Sequence, residues 1–218
     1  MQSTQLQDVE KLDLKKKYKH LYRPSATRVE RVDVPELLFI MIDGAIEKGA
    51  GPSDSEAFRQ SMEALYGVGY GLKFMSKLRP ENPIDFTVMA AEGLWESEST
   101  EFAFDGSQPL AYTLMMLQPD HITEDMFDAA VAQAAEKRPN PALQQMRLLR
   151  WQEGPSIQIM HVGPYADEPR SLALMAGFAS EHDYRFRGRH HEIYMGDPRR
   201  SKPENLKTIL RQPVEPAR

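Results

Sequence analysis

Two apolar runs constrain this chain more than anything else in it. FIMIDG at 39–44 and IQIMHVG at 157–163 both read as buried strands stopped by a glycine. Each precedes a helix signal and then two further strand-like segments, so a β-α-β-β order occurs twice. The expected organisation is an N-terminal extension over 1–30 and a domain over 31–214, with units at about 31–118 and 146–214 joined by a helical segment. Two such units side by side predict an α+β fold, one antiparallel sheet with helices on one face. The other face is then expected to be a concave cleft between the halves, where a ligand can lie.

Local signals support this order. Leu14, Tyr18, Leu21 and Tyr22 recur at helix-like spacing and predict a short docking helix inside a basic, solvated segment. The first strand is expected at 36–43. Ser53-x-x-Glu56 reads as a capping box that opens a helix. Phe58, Met62, Tyr66, Tyr70 and Phe74 then fall at i, i+4 intervals and predict one apolar ridge. Tyr66, Val68, Tyr70, Leu72 and Phe74 also alternate as in a strand, but the cap and the length favour helix. Gly67, Gly69 and Gly71 each cost that helix about 1 kcal/mol against alanine. Such positions are expected where something packs close to the backbone. Strands are expected at 85–95, 110–117, 146–151, 156–162, 190–195 and 206–210. Thr123 and Asp167 open two further helices, the second with Pro169 in its first turn.

Composition excludes several functions. There is no cysteine, so thiolate nucleophiles, disulfides and Cys-type zinc sites are ruled out. Net charge is −5, which gives no general attraction to phosphate backbones, and no nucleic-acid partner is expected. No apolar run approaches the roughly 20 residues of a membrane helix, and no signal-like h-region opens the chain. A cytoplasmic protein with no membrane contact is expected. There is no G-x-S-x-G elbow, G-x-G-x-x-G or P-loop. No cofactor is implied.

The stretch richest in chemistry is HHEIYM at 190–195. In a strand, His191, Ile193 and Met195 share one face, and His190, Glu192 and Tyr194 the other. With Ile193 and Met195 on the core, Glu192 and Tyr194 face the cleft. A carboxylate framed by aromatic rings can neutralise a cation lying against π faces. It can also act as a general base on water. Tyr66, Tyr70, Trp95, Tyr112 and Tyr165 could complete such a pocket, although a helical aromatic ridge also serves as core. His190 and His191 point to opposite faces and cannot chelate one ion together. His161 has no supporting spacing as a third ligand, so no metal site is expected. Asp197-Pro198-Arg199-Arg200 reads as a turn with solvated arginines.

The blocks VPELLFIMIDG, FRQSMEALYGVGYGLKFM, EGLW, LMMLQPD, IMHVGPYADEP, HHEIYMGDPRR and PENLKTILRQPV resemble a standalone bacterial group of the GyrI-like superfamily, from about Lys16 to Val214. That group includes cyclopropanoid cyclopropyl hydrolases, which detoxify DNA-alkylating natural products of the yatakemycin type by opening their strained spirocyclopropane. The resemblance implies a duplicated β-α-β-β fold with a central cleft and a planar, hydrophobic small-molecule ligand. It implies Glu192, Tyr66 and Tyr70 as catalytic, and Trp95 as a pocket wall. Tyr112, Tyr165, Tyr194, His190 and His161 are the further ligand-binding candidates. A non-catalytic binder of hydrophobic, often cationic, compounds is the alternative. A protein partner is not expected.

Overall fold

The computed structural model describes residues 9–97, 107–198 and 200–217. The chain runs β1 (Glu10–Leu12), α1 (Leu14–Lys17), α2 (Lys19–Tyr22), β2 (Glu30–Ile46), α3 (Glu56–Leu78), β3 (Ile84–Phe86), β4 (Glu92–Ser97) and β5 (Leu110–Gln118). It continues with α4 (Glu124–Lys137), β6 (Met146–Val162), α5 (Glu168–Glu181), β7 (Tyr184–Phe186), β8 (His190–Tyr194) and β9 (Lys207–Pro216).

Six of these strands pair in the order β6-β2-β5-β4-β8-β9, and β9 pairs back onto β6. The sheet therefore closes into an antiparallel barrel, with β7 added along the end of β9. This corrects the expectation of an open sheet with a concave free face. β6 makes closure possible because it is one continuous strand rather than two. Its residues 146–158 pair with β2 and its residues 156–162 pair with β9. Gly154, paired with Val34 two residues before the β9 pairing begins, has φ +75°, a conformation that glycine adopts without a Cβ penalty.

Closure turns the strand alternation into an inside and an outside. Phe39, Met41, Met115, Leu117, Leu94, Ile193 and Ile209 register with one another around the ring and fill the lumen. The outer face carries the helices. Ile40 and Met116 lie under α3, and Ile157, Ile159 and Leu210 pack with Met175 of α5. Glu192 registers with Leu210 and Gly93, so it sits on the helix-bearing face. The expected cleft on the side away from the helices is a filled lumen instead.

Local details also differ. Ser55, not Ser53, caps α3 by accepting from the Phe58 N–H. The expected strand at 85–95 is split into β3 and β4, and β3 pairs in parallel with β1. Thr123 caps α4 as read, accepting from Met126 N–H. The docking segment forms two short helices, burying Leu14, Leu21 and Tyr22. Among the described residues no helix is long and apolar enough to cross a membrane. Arg200 N–H closes a turn onto Asp197 C=O, while Arg199 lies outside the described residues.

Candidate functional site

β8 places adjacent residues in two different environments. His191 points into the lumen and Glu192 points out, toward the start of α5. Glu192 is only 1% exposed, and Glu168, in the first turn of α5, is 4% exposed. Their carboxyl groups hydrogen-bond each other, and Thr208 bonds Glu168. Burial first, and then the neighbouring Glu192 charge, raise Glu168 from the usual 4.5 to about 9. At neutral pH Glu168 is therefore the proton donor of the pair. One oxygen of each carboxyl, Oε1 of Glu168 and Oε1 of Glu192, is buried without a hydrogen-bond partner among the described residues. His190 Nε2 lies 3.4 Å from that Glu192 oxygen.

Rings close around the pair. The Tyr194 hydroxyl bonds Glu192, and Trp95 Nε1–H donates to the Tyr194 oxygen at 2.9 Å. Burial first, then the Glu192 charge, hold Tyr194 well above the usual tyrosine range. The Tyr165 ring meets Tyr194 edge-on at 6.4 Å and is 37% exposed, the open wall of the group. Burial and Glu192 push Tyr165 up to about 12. Trp95 in turn stacks on Phe58 at 5.6 Å and meets Tyr112 at 5.8 Å. Gly93 makes this packing possible. A Cβ there would sit 2.8 Å from Trp95 Nε1 and 2.9 Å from the Tyr194 hydroxyl.

The other expected residues fall in different places. Tyr112 is buried beneath Phe58, with its hydroxyl 2.9 Å from Ser61 Oγ. Tyr66 reaches the edge of the cluster, where its hydroxyl accepts from Ala91 N–H at 3.3 Å and Ala91 C=O accepts from Tyr194 N–H. His161 has both ring nitrogens taken up within the protein. It is buried, with Nδ1 3.0 Å from Ser171 Oγ and Nε2 3.1 Å from Pro164 O, and so ties the turn that carries Tyr165 to α5. Tyr70 is not brought to the pair. It is 50% exposed and lines a groove of about 710 Å³ between α3 and α4. The reason is helical geometry: a step of four residues advances about 400°, so an i, i+4 ridge winds about 40° per step. Phe58 faces Trp95, Tyr66 faces sideways and Tyr70 faces out.

Glu168 and Phe58 were missed. An acid in a first turn is ordinarily read as a complement to the helix dipole, which hid Glu168. No local signal set it apart, since α4 also opens on two adjacent acids, Glu124 and Asp125.

Inside the barrel, behind the same strand, the carboxylates are fully matched. His191 Nε2 lies 3.0 Å from Glu92 and its Nδ1 lies 3.0 Å from Glu153. Arg211 donates to Glu153 at 3.3 Å, to Gln158 at 3.0 Å and to Leu21 C=O at 2.7 Å. Tyr22 O–H donates to Glu92 at 2.7 Å. Burial opposes charge on His191, but Glu153 and Glu92 outweigh it and hold the imidazole above its usual range. Burial likewise opposes charge on Glu153, and His191 and Arg211 outweigh it to hold the carboxyl low.

Comparison with known proteins is consistent with this architecture. The model of the GyrI-like small molecule binding domain matches residues 77–215. A conserved protein of Listeria innocua is 36% identical over 94% of this chain and all of its own, with a TM-score of 0.83. A protein from Listeria innocua described as a hydrolase is also 36% identical, with the same coverage and a TM-score of 0.80. The C-terminal domain of EcmrR shares the fold alone, at 10% identity over 87% of this chain and 98% of that domain, with a TM-score of 0.51. No protein of curated function matches the sequence. The chain belongs to the GyrI-like small-molecule-binding family.

Proposed function

We propose that the Glu168–Glu192 pair and its rings bind a planar, hydrophobic small molecule and add water across its strained cyclopropane. The observation that carries this reading is the pair itself, two enclosed carboxyls with an unbonded oxygen each and one shared proton, beside tyrosine and tryptophan faces. The guest lies against Trp95 and Tyr194, with Tyr165 moving aside as the exposed wall. Glu192 accepts the proton of a water whose oxygen attacks the unsubstituted cyclopropyl carbon. The ring C–C bond breaks, its electron pair passes into the conjugated carbonyl, and the oxygen that becomes anionic takes a proton from an acid. Glu168 is the neutral acid at hand. Tyr66, at the edge of the cluster, positions the water. Tyr70 has no part. The two β-α-β-β units, β2-α3-β4-β5 and β6-α5-β8-β9, are read as a duplication that sets α3 and α5 on either side of the guest.

A buried carboxylate among rings also suits capture of a cation without chemistry. Incubation with a cyclopropanoid, followed by mass spectrometry, separates the two readings. A product heavier by one water is expected, and recovery of unchanged compound would leave only capture. Glu192→Gln should retain the compound and lose turnover by about 10²–10⁴-fold, the usual worth of a general base. Unchanged turnover in that variant would remove Glu192 from the reaction.

A further inference from the structure

The groove between α3 and α4 is separate from the carboxyl pair and has features the site does not use. The two helices run antiparallel, since Gly71 meets Ala130 while Glu63 reaches Arg138. Tyr70, Phe74 and Leu78 stand along its α3 side, 50%, 53% and 75% exposed, one helical turn apart. Three large apolar side chains in a row on a solvated helix are not a packing requirement of this fold. The glycines sharpen the point. A Cβ at Gly69 would meet Met116 Sδ at 2.7 Å, and one at Gly71 would meet Ala130 Cβ at 3.4 Å. At Gly67 a Cβ would meet nothing within 4 Å, and Gly67 lines the groove. The helix thus bears a glycine penalty of about 1 kcal/mol there that nothing within the described chain repays.

Charge indicates what fits. The lining includes three cations, Arg79, Lys137 and Arg138, against one carboxylate, Glu63, a local excess of two positive charges on a chain whose net charge is −5. Glu63 is itself shared between Arg59 and Arg138. The cations sit at both ends of the groove, Arg79 beyond the last turn of α3 and Lys137 and Arg138 at the end of α4. Small-molecule sites enclose most of their ligand. Here the apolar side chains stand exposed along a trough walled by α3 from Glu63 to Leu78 and by the second half of α4, which suits a helix laid in the groove.

We propose that this groove is a docking site for an amphipathic α-helix of a partner protein, with apolar residues at i, i+4 spacing and acidic residues at both ends. This reverses the expectation of no protein partner, and it is independent of the chemistry at Glu192.

The test uses the full chain and a fluorescein-labelled synthetic helix of about 14 residues, the length of α4, with leucines on one face and glutamates at both ends. Anisotropy titration should show saturable binding. A version with lysines in place of the glutamates should bind at least about tenfold more weakly. Gly67→Met, at a position where an added Cβ meets nothing within 4 Å, projects a side chain into the trough, and Phe74→Asp alters only an exposed side chain. Both should abolish binding while the melting temperature does not fall. Equal binding of the acidic and basic helices, or binding unaffected by both substitutions, would overturn the proposal. Myristate displaced by Gly67→Met in place of the peptide would assign the groove to a fatty acid. Concentration-dependent dimerisation lost in Phe74→Asp would assign it to a second copy. Either result overturns the proposal.

Discussion

His191 and Glu192 share a peptide bond and belong to opposite regimes. On the lumen side, each buried carboxylate has its answer: Glu92 holds Tyr22 and His191, and Glu153 holds His191 and Arg211. On the outer side, Glu192 faces another carboxyl, and two oxygens are left unbonded. Buried groups that are fully paired hold a structure together, and breaking one pair strands its partner. Buried groups left short of partners weaken the fold and wait for something else to bind. The contrast teaches that burial of an acid does not mark a site. What supports the proposed site is that two carboxyls are buried against each other, each with an oxygen left without a hydrogen bond.

The comparison can be broken from the lumen side first. Glu153→Ala should cost about 3–5 kcal/mol, because it strands the buried Arg211 charge and leaves His191 with Glu92 alone. Chemical denaturation should show it as a lower midpoint, and a loss under about 1 kcal/mol would mean that the lumen network is not the clamp described. Tyr22→Phe, which orphans one Glu92 oxygen, should cost less, about 1–3 kcal/mol.

On the outer side the effects on stability should be smaller and depend on pH. A free glutamate ionises near 4.5 and Glu168 near 9, so between those values the unfolded chain has lost a proton that the folded chain keeps. Stability contributed by the protonated acid is thus complete below 4.5 and falls as pH rises toward 9. Glu168→Gln should flatten that decline, measured as melting temperature against pH, and an unaltered slope would place the proton elsewhere. Glu192→Gln should be the mildest for folding, with no loss of melting temperature, since it removes one of two facing carboxyls and gives up only the His190 contact at 3.4 Å. A large destabilisation would make Glu192 a structural acid like Glu153.

The alternation of HHEIYM was enough to put His191 and Ile193 on one face and Glu192 and Tyr194 on the other, because a strand leaves no other choice. Gly69 and Gly71 were legible as close approaches for a similar local reason. Closure of the barrel was not, since it rests on β6 meeting β9 more than forty residues later, and no local pattern encodes that pairing. Which face would be lumen was therefore open, and the cleft was expected on the wrong side of the sheet. The ridge from Phe58 to Phe74 was legible, but an i, i+4 row winds, so Tyr70, which the family resemblance implied as catalytic, faces the groove between α3 and α4 instead. Glu168 carried a local explanation of its own, and only the fold brought it next to a second carboxyl.

The ring of strands has one more effect on the site. In an open sheet a terminal strand can slip by a residue at the expense of a single neighbour. In a hoop, β8 cannot slide past β4 without also sliding against β9, and so on around the circumference. The alignment of Glu192 opposite Gly93, with Trp95 two steps along, is held by every ladder in the wall. In the proposed reaction, side chains above it swing to admit the guest while the floor keeps its spacing.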